Sequence, residues 1–138
     1  MKILVDGNVI LDVLQKRIPH YDESALVWKL CETGKLRGYV SSLTFANLVY
    51  VMRKELSPVS INTVLKQLSL ILTFESLDTD DLFCAAGLQW EDFEDAIQSV
   101  TAKRIHADYI ISRNIRDFVK SEVPVLSPGD LLESVGLT

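Results

Sequence analysis

Short apolar runs and longer stretches of helical periodicity alternate along the 138-residue chain. The runs at 3–5, 38–41 and 109–111 have the length and apolar content of strands that are buried within a sheet. The segments 70–75 and 123–126 indicate two further strands, although helix and strand compete for the first of them. The pattern therefore predicts four to five strands.

Between these strands, apolar residues recur at i, i+3, i+4 and i+7, which predicts amphipathic helices. The first helix should have Asn8 as its N-cap, and a later one over 91–105 should bury Phe93, Ile97 and Val100. Strands that are separated by helices pair in parallel through crossover connections. We therefore predict a single domain over 1–138, a three-layer α/β/α sandwich with a central, mainly parallel sheet.

The composition is ordinary for a soluble globular protein, with 48% apolar and 24% charged residues. Cys31 and Cys84 show neither CxxC nor Cys/His spacing, so two reduced core thiols are expected rather than a disulfide or a zinc site. The sequence lacks a run of about 18 apolar residues, and Asp6 and Asp12 interrupt the apolar N-terminus. We therefore expect a cytoplasmic protein with no membrane segment.

The formal net charge of −5 argues against broad, nonspecific binding of nucleic acid, which normally needs a basic surface. It does not exclude a nuclease, because acids that hold a metal ion count toward this total while the ion reverses their sign locally. Charge alone therefore leaves nucleic-acid chemistry open.

Acidic and polar residues follow the predicted strands at the edge where ligands of open parallel sheets bind. Asp6 ends the first strand, and Asp95 lies in the first turn of the helix that leads into the fourth strand. Asn114 and Asp117 lie in the turn after that strand. We expect these residues to converge, because helices antiparallel to the strands begin at this edge. Carboxylates gathered there would bind Mg²⁺ or Mn²⁺, which can activate a water for phosphodiester hydrolysis.

Each acid also has a simpler interpretation. Asp6 could cap the following helix, and Asp92 and Asp95 could be first-turn acids that the helix dipole favours. Asp117 could be a solvated turn residue. Three further acids are expected at the surface: Asp12, Asp80 and Asp81.

Four segments together resemble one known family: VDGNVILDVL, SSLTFANLVYVMRK, DFEDAIQSVTAKRIHADYIISRNIRDF and VLSPGDLL. They resemble the PIN domain, and most closely the stand-alone bacterial PIN proteins that include VapC-like toxins of toxin–antitoxin pairs. The resemblance covers nearly the whole chain in the right order. It implies a metal-dependent ribonuclease with four acids around one or two Mg²⁺ or Mn²⁺ ions, a homodimer, and an antitoxin partner.

The resemblance also implies roles for individual residues. Asp6 matches the family's first acid, Asp95 its third, and Asn114 its fourth, with Asp117 close behind. Two positions depart from the family pattern. Gly7 replaces a common threonine, so a hydroxyl is absent, and Asn47 aligns with the second acid, usually a glutamate.

Our first hypothesis is therefore an RNA-cleaving enzyme in which Asp6, Asp95 and Asp117 bind the ion. Asn114 and Asn47 would orient waters, with Asn8 and Asp92 as auxiliary residues. Four cations could grip the RNA backbone or could simply be solvated surface residues: Arg113, Arg116, Lys103 and Arg104.

Two alternatives come from the same residues. A catalytically weak or inactive PIN fold that binds RNA or protein is suggested by Gly7, Asn47 and the negative charge. A phospho-acceptor receiver domain would need a lysine after a late strand, and ADYIISRNIRDF lacks it.

Overall fold

The computed structural model describes residues 1–137 as a central sheet with helices around it. These residues form, in chain order, β1 (Lys2–Val5), α1 (Gly7–Leu14), α2 (Tyr21–Glu32), β2 (Arg37–Ser41), α3 (Ser42–Met52), α4 (Pro58–Ser69), β3 (Thr73–Glu75), α5 (Thr79–Gly87), α6 (Phe93–Arg104), β4 (Tyr109–Ile111), a 3₁₀ helix (Ile115–Phe118), β5 (Val125–Leu126) and α7 (Pro128–Ser134).

All five strands are parallel and lie in the order β3-β2-β1-β4-β5. The strand β1 is central, with Leu4 opposite Tyr39 of β2 on one side and Ile110 of β4 on the other. The segment 70–75, for which helix and strand compete, contains β3, and the strand predicted over 123–126 corresponds to β5. The predicted parallel sheet is confirmed.

Alternate residues of β1 face opposite sides of the sheet. Ile3 and Val5 pack in a core cluster with apolar residues of α1, α2, α3, α4 and α7. Leu4 packs on the other side against Ala102 of α6 and Phe118 of the 3₁₀ helix. This alternation is expected for a strand that is buried on both faces, and it confirms the three-layer sandwich.

The sheet has a topological switch point between β1 and β4. From β1 the chain proceeds outward through β2 and β3, and it then returns to form β4 and β5 on the opposite side. At the carboxyl edge the two central strands are directly joined, because the amide of Asp6 donates to the carbonyl of Ile111 at 2.9 Å. Open parallel sheets bind ligands in the crevice at such a point.

Two predicted details are wrong at the helix starts. Asp6, not Asn8, is the N-cap of α1, and its side chain accepts from the amide of Gly7. The helix α6 begins at Phe93 with Asp92 as its N-cap, so Phe93 lies at the open end of the helix. Its side chain is consequently 46% exposed rather than buried.

The two cysteines differ in their burial. Cys31 and Cys84 are both free thiols, but Cys31 is buried while Cys84 is exposed, so only the first is a core thiol. Within residues 1–137, we find no helix with the length and apolar content needed to cross a bilayer.

Candidate active site

The carboxylate of Asp6 receives hydrogen bonds from three parts of the fold. Its Oδ1 accepts from the amide of Gly7 at 2.8 Å and from Gln98 Nε2 of α6 at 2.7 Å. Its Oδ2 accepts from Ser112 Oγ, directly after β4, at 2.7 Å. These donors fix the orientation of the carboxylate.

Ser112 supplies a hydroxyl group next to Asp6, although Gly7 has none. A Cβ atom at Gly7 would lie 3.3 Å from Cγ2 of Thr44, so α3 packs closely against this turn. The hydroxyl that steadies Asp6 instead comes from Ser112, across the β1–β4 pair. The glycine therefore does not leave Asp6 without a hydroxyl donor.

Asp95 is the residue around which the acids gather. Burial first, and then the nearby negative charges, together raise the pKa of Asp95 to about 7; these charges belong to Asp92, Asp6, Asp117 and Glu94. A carboxyl group flanked by like charges resists ionisation. The structure therefore brings the predicted acids Asp6, Asp95 and Asp117 into one neighbourhood.

Two adjoining cavities share Asp95 in their walls. The walls of the first include Asp6, Asn47, Glu94 and Gln98. The walls of the second include Trp90, Asp92, Arg116, Asp117 and Lys120. Asp95 thus links the strand end that carries Asp6 with the turn that carries Asp117.

Asn8 and Asn114 contribute mainly to the turn after β4. Asn8 Nδ2 donates to Ser112 Oγ at 3.3 Å, and Asn8 Oδ1 accepts a long bond of 3.4 Å from the amide of Arg113. The amide of Asn114 donates to Ser112 Oγ at 3.0 Å. The side chain of Asn114 is exposed and lines a separate surface depression with Arg116 and Asp117. It is not brought into the cavity that contains Asp6.

Asp92 has a structural role that its position predicted. Its Oδ1 accepts from the amide of Asp95 at 3.1 Å, which is the bond of a helix N-cap. The cap also fixes the first turn of α6 and thereby the backbone of Asp95. Asp92 therefore acts on the site through the helix start.

Asn47 lies on the α3 side of the first cavity. Its side chain is exposed, and its Nδ2 donates to Oε2 of Glu94 at 3.3 Å. The sequence interpretation missed Glu94. Glu94 precedes Gln98 by four residues and so shares its face of α6, but the place of Gln98 beside Asp6 is known only from the structure.

Three of the four predicted RNA-binding cations form ion pairs within the protein. Lys103 pairs with Glu122 at 2.7 Å on the surface. Arg104 pairs at 2.9 Å with both Glu75 and Asp81, and Asp81 is buried rather than at the surface as predicted. Arg113 pairs with the buried carboxylate of Asp12 at 2.7 Å.

Arg116 is the fourth of these cations, and it lines the second cavity. Lys120 accompanies it there and was missed by the sequence interpretation. It lies three residues after Asp117, on the same segment after β4. The positive charge beside the acids therefore comes from this segment.

Asp12 was predicted at the surface, and this is wrong because its side chain is 0% exposed. Its Oδ2 accepts from Arg113 Nε at 2.7 Å and from Ser24 Oγ at 3.2 Å. Its Oδ1 has no hydrogen-bond partner among residues 1–137. The buried ion pair ties α1 to the turn after β4, 101 positions away in the sequence.

The fit of these acids to a divalent cation depends on how many of them can reach one ion. Within residues 1–137, no three carboxylate, imidazole or thiol groups are close enough to chelate one ion. The acids nevertheless repel one another around Asp95, and the buried Oε1 of Gln98 has no donor. Mg²⁺ commonly uses one or two carboxylates and several waters. The residues therefore fit a hydrated divalent ion, which Asp6 and Asp95 would hold.

Replacing Arg113 with alanine should destabilise the protein by about 3 kcal/mol, because it leaves the buried carboxylate of Asp12 without its counterion. The matched control is Arg116→Ala, which removes an exposed arginine from the same segment and should cost less than about 0.5 kcal/mol. Urea unfolding measures both free energies. Equal losses for the two variants would contradict the assigned role of the ion pair.

The raised pKa of Asp95 predicts a pH dependence in the metal-free protein. Between pH 4 and 7 the unfolded chain releases this proton while the folded protein retains it, so stability falls as pH rises. The carboxyl group is partly solvated, so we expect about 1 kcal/mol rather than the full value of the shift. Asp95→Asn should therefore gain about 1 kcal/mol relative to the wild type at pH 8 compared with pH 4.

Urea unfolding in EDTA at both pH values measures this difference, and other titrating groups cancel in the comparison. A stability difference between wild type and variant that is the same at pH 4 and pH 8 would show that Asp95 does not titrate as described.

Comparison with known proteins gives a consistent result. The profile of the PIN domain matches residues 2–116. Ribonuclease VapC1 of Aquifex aeolicus (strain VF5) is 24% identical over 136 residues, which cover 96% of this chain and 94% of the relative.

Two solved structures share the fold. VapBC2 from Rickettsia felis, bound to a promoter DNA fragment, superposes with a TM-score of 0.72 at 17% identity, covering 92% of this chain and 98% of the other. DNA-bound VapBC from Salmonella typhimurium gives 0.70 at 18% identity, covering 93% and 98%. The family profile spans most of the sequence and the fold agrees with it, so this chain belongs to the PIN domain family.

Proposed function

We propose that this protein is a Mg²⁺- or Mn²⁺-dependent endoribonuclease and the toxin of a toxin–antitoxin pair. The observation that carries the proposal is the pairing of Asp6 and Asp95 beside the β1–β4 switch point, with Asp117 near enough to raise the pKa of Asp95. Membership of the PIN family and the similarity to a VapC ribonuclease support it.

We assign metal binding, positioning of Asp6 and orientation of the substrate to different residues. Asp6 and Asp95 would hold the divalent ion, and Asp117 would add negative charge from the second cavity. When bound, the ion lowers the pKa of a water and neutralises phosphodiester charge. Gln98 and Ser112 keep the carboxylate of Asp6 in one orientation through their hydrogen bonds. Asn114, exposed beside Asp117, would orient water or substrate at the rim.

The RNA backbone would approach over the segment after β4. Arg116 and Lys120 border the second cavity and can contact phosphate oxygens. Because the net charge is −5, we expect RNA to be bound by a few local cations and not by a wide basic surface. The proposal therefore assigns substrate binding to Arg116 and Lys120 rather than to Lys103 or Arg104.

An antitoxin and a homodimer belong to the same proposal. The solved relatives include VapBC from two bacteria and a toxin–antitoxin complex from Klebsiella pneumoniae, the last at a TM-score of 0.67 and 20% identity. These assemblies support the presence of a cognate inhibitory protein that binds this chain.

A second candidate is a catalytically inactive PIN fold that binds RNA or a protein. It is favoured by the neutral Asn47 and by the lack of three chelating groups in close contact within residues 1–137. Calorimetric titration with Mn²⁺ separates the two candidates. A protein that binds no Mn²⁺ at millimolar concentrations would favour this second function.

The ribonuclease is tested by incubating the purified protein with an end-labelled RNA and Mn²⁺. We expect cleavage that EDTA abolishes and that Asp95→Asn lowers by more than about a hundredfold, since even loss of an outer-shell partner costs ten- to a hundredfold. The matched control is Asp108→Asn, because Asp108 binds the amide of Lys2 at the opposite edge of the sheet. Equal cleavage by wild type and Asp95→Asn would indicate a contaminating nuclease and refute the proposal.

A further inference from the structure

The first cavity contains a carboxylate that neither the family resemblance nor the proposed mechanism uses. Glu94 is exposed in the first turn of α6, yet its Oε2 lies 3.3 Å from Nδ2 of Asn47 on α3. The two residues line the cavity together with Asp6 and Asp95. The carboxylate of Glu94 therefore reaches the position on α3 where an acid is absent.

The contact with Asn47 gives Glu94 more than the usual role of a first-turn acid. The helix N-terminus is already capped by Asp92, whose side chain accepts from the amide of Asp95. A Glu94 side chain that only complemented the helix dipole would need no partner on another helix. Its bond to Asn47 instead directs the charge across the cavity toward α3.

An independent observation is a buried acceptor in the wall of this cavity that no described residue satisfies. Gln98 follows Glu94 by one helical turn, is 5% exposed, and lines the same cavity. Its Nε2 donates to Asp6, while its buried Oε1 has no hydrogen-bond partner among the described residues. A buried carbonyl without a donor costs about 1–3 kcal/mol. An amide oxygen accepts only, so the missing ligand is a cation or a donor such as water in its shell.

We propose that Glu94 acts on the divalent-cation site through a water of the ion's shell and supplies there the charge that position 47 lacks, since no third carboxylate of residues 1–137 is close enough to chelate the ion directly. Asn47 would position Glu94 through its amide, and Gln98 would accept from the hydration shell of the ion through Oε1. This inference rests on the proposed function, because it assumes that Asp6 and Asp95 bind the same ion. The negative charge that Asn47 of α3 does not supply would thus come from Glu94 of α6.

The test is direct binding of Mn²⁺, followed by the electron paramagnetic resonance signal of the free ion. Glu94→Gln should weaken Mn²⁺ affinity about tenfold, which is the effect of losing a partner that acts through the ion's first-shell ligands or waters. Glu32→Gln is the matched control, because Glu32 is exposed at the end of α2 that leads into β2, near the opposite edge of the sheet. It should change the affinity less than about twofold.

The decisive variant moves the acid back to α3. Asn47→Glu combined with Glu94→Gln should restore Mn²⁺ affinity to within about threefold of the wild type, and restoration also shows that Glu94→Gln does not simply misfold. If the double variant does not regain Mn²⁺ affinity, the claim that Glu94 supplies the charge absent from position 47 is refuted.

Asp6→Asn distinguishes failure of this inference from failure of the proposed function. If Glu94→Gln binds Mn²⁺ as the wild type does while Asp6→Asn loses binding, the role of Glu94 is refuted and the metal site stands. If the wild type itself binds no Mn²⁺, both proposals are refuted.

Discussion

The structure of the candidate site depends on the hydrogen bonds that converge on the carboxylate of Asp6. Donors from the start of α1, from Gln98 of α6 and from Ser112 after β4 meet at this one group. They connect three segments that are far apart in the sequence and lie beside the switch point of the sheet. Each donor limits the movement of the carboxylate, because the group is held from three sides at once. The fold therefore supplies a fixed negative group at the place where an α/β sheet binds ligands.

The same arrangement concentrates more negative charge than the protein neutralises. Four acids lie near Asp95, and its pKa rises to about 7 through burial and through their charges. Asp12, by contrast, is neutralised by Arg113, which makes that pair a structural element of the turn after β4. A site whose acids repel one another is less stable without a cation, and this is the electrostatic basis for expecting a divalent ion.

The fold was predictable because its signals are local. The run of Ile3, Leu4 and Val5 is apolar throughout because both faces of β1 are covered, and this run alone indicates a central strand. Convergence of Asp6 and Asp95 followed from the rule that parallel strands end at one edge. The burial of Asp12 was not predictable, because its counterion Arg113 lies 101 positions away. Glu94 was missed for a related reason, since its partner Asn47 belongs to another helix, 47 positions away.

The central claim is that Asp6 and Asp95 bind one divalent ion at the carboxyl edge of the sheet. A crystal soaked in Mn²⁺ and measured near the manganese absorption edge tests it most directly. We predict an anomalous difference peak between these two carboxylates, with waters completing the coordination. A manganese peak on another surface, with Asp6 and Asp95 free of metal, would contradict the account.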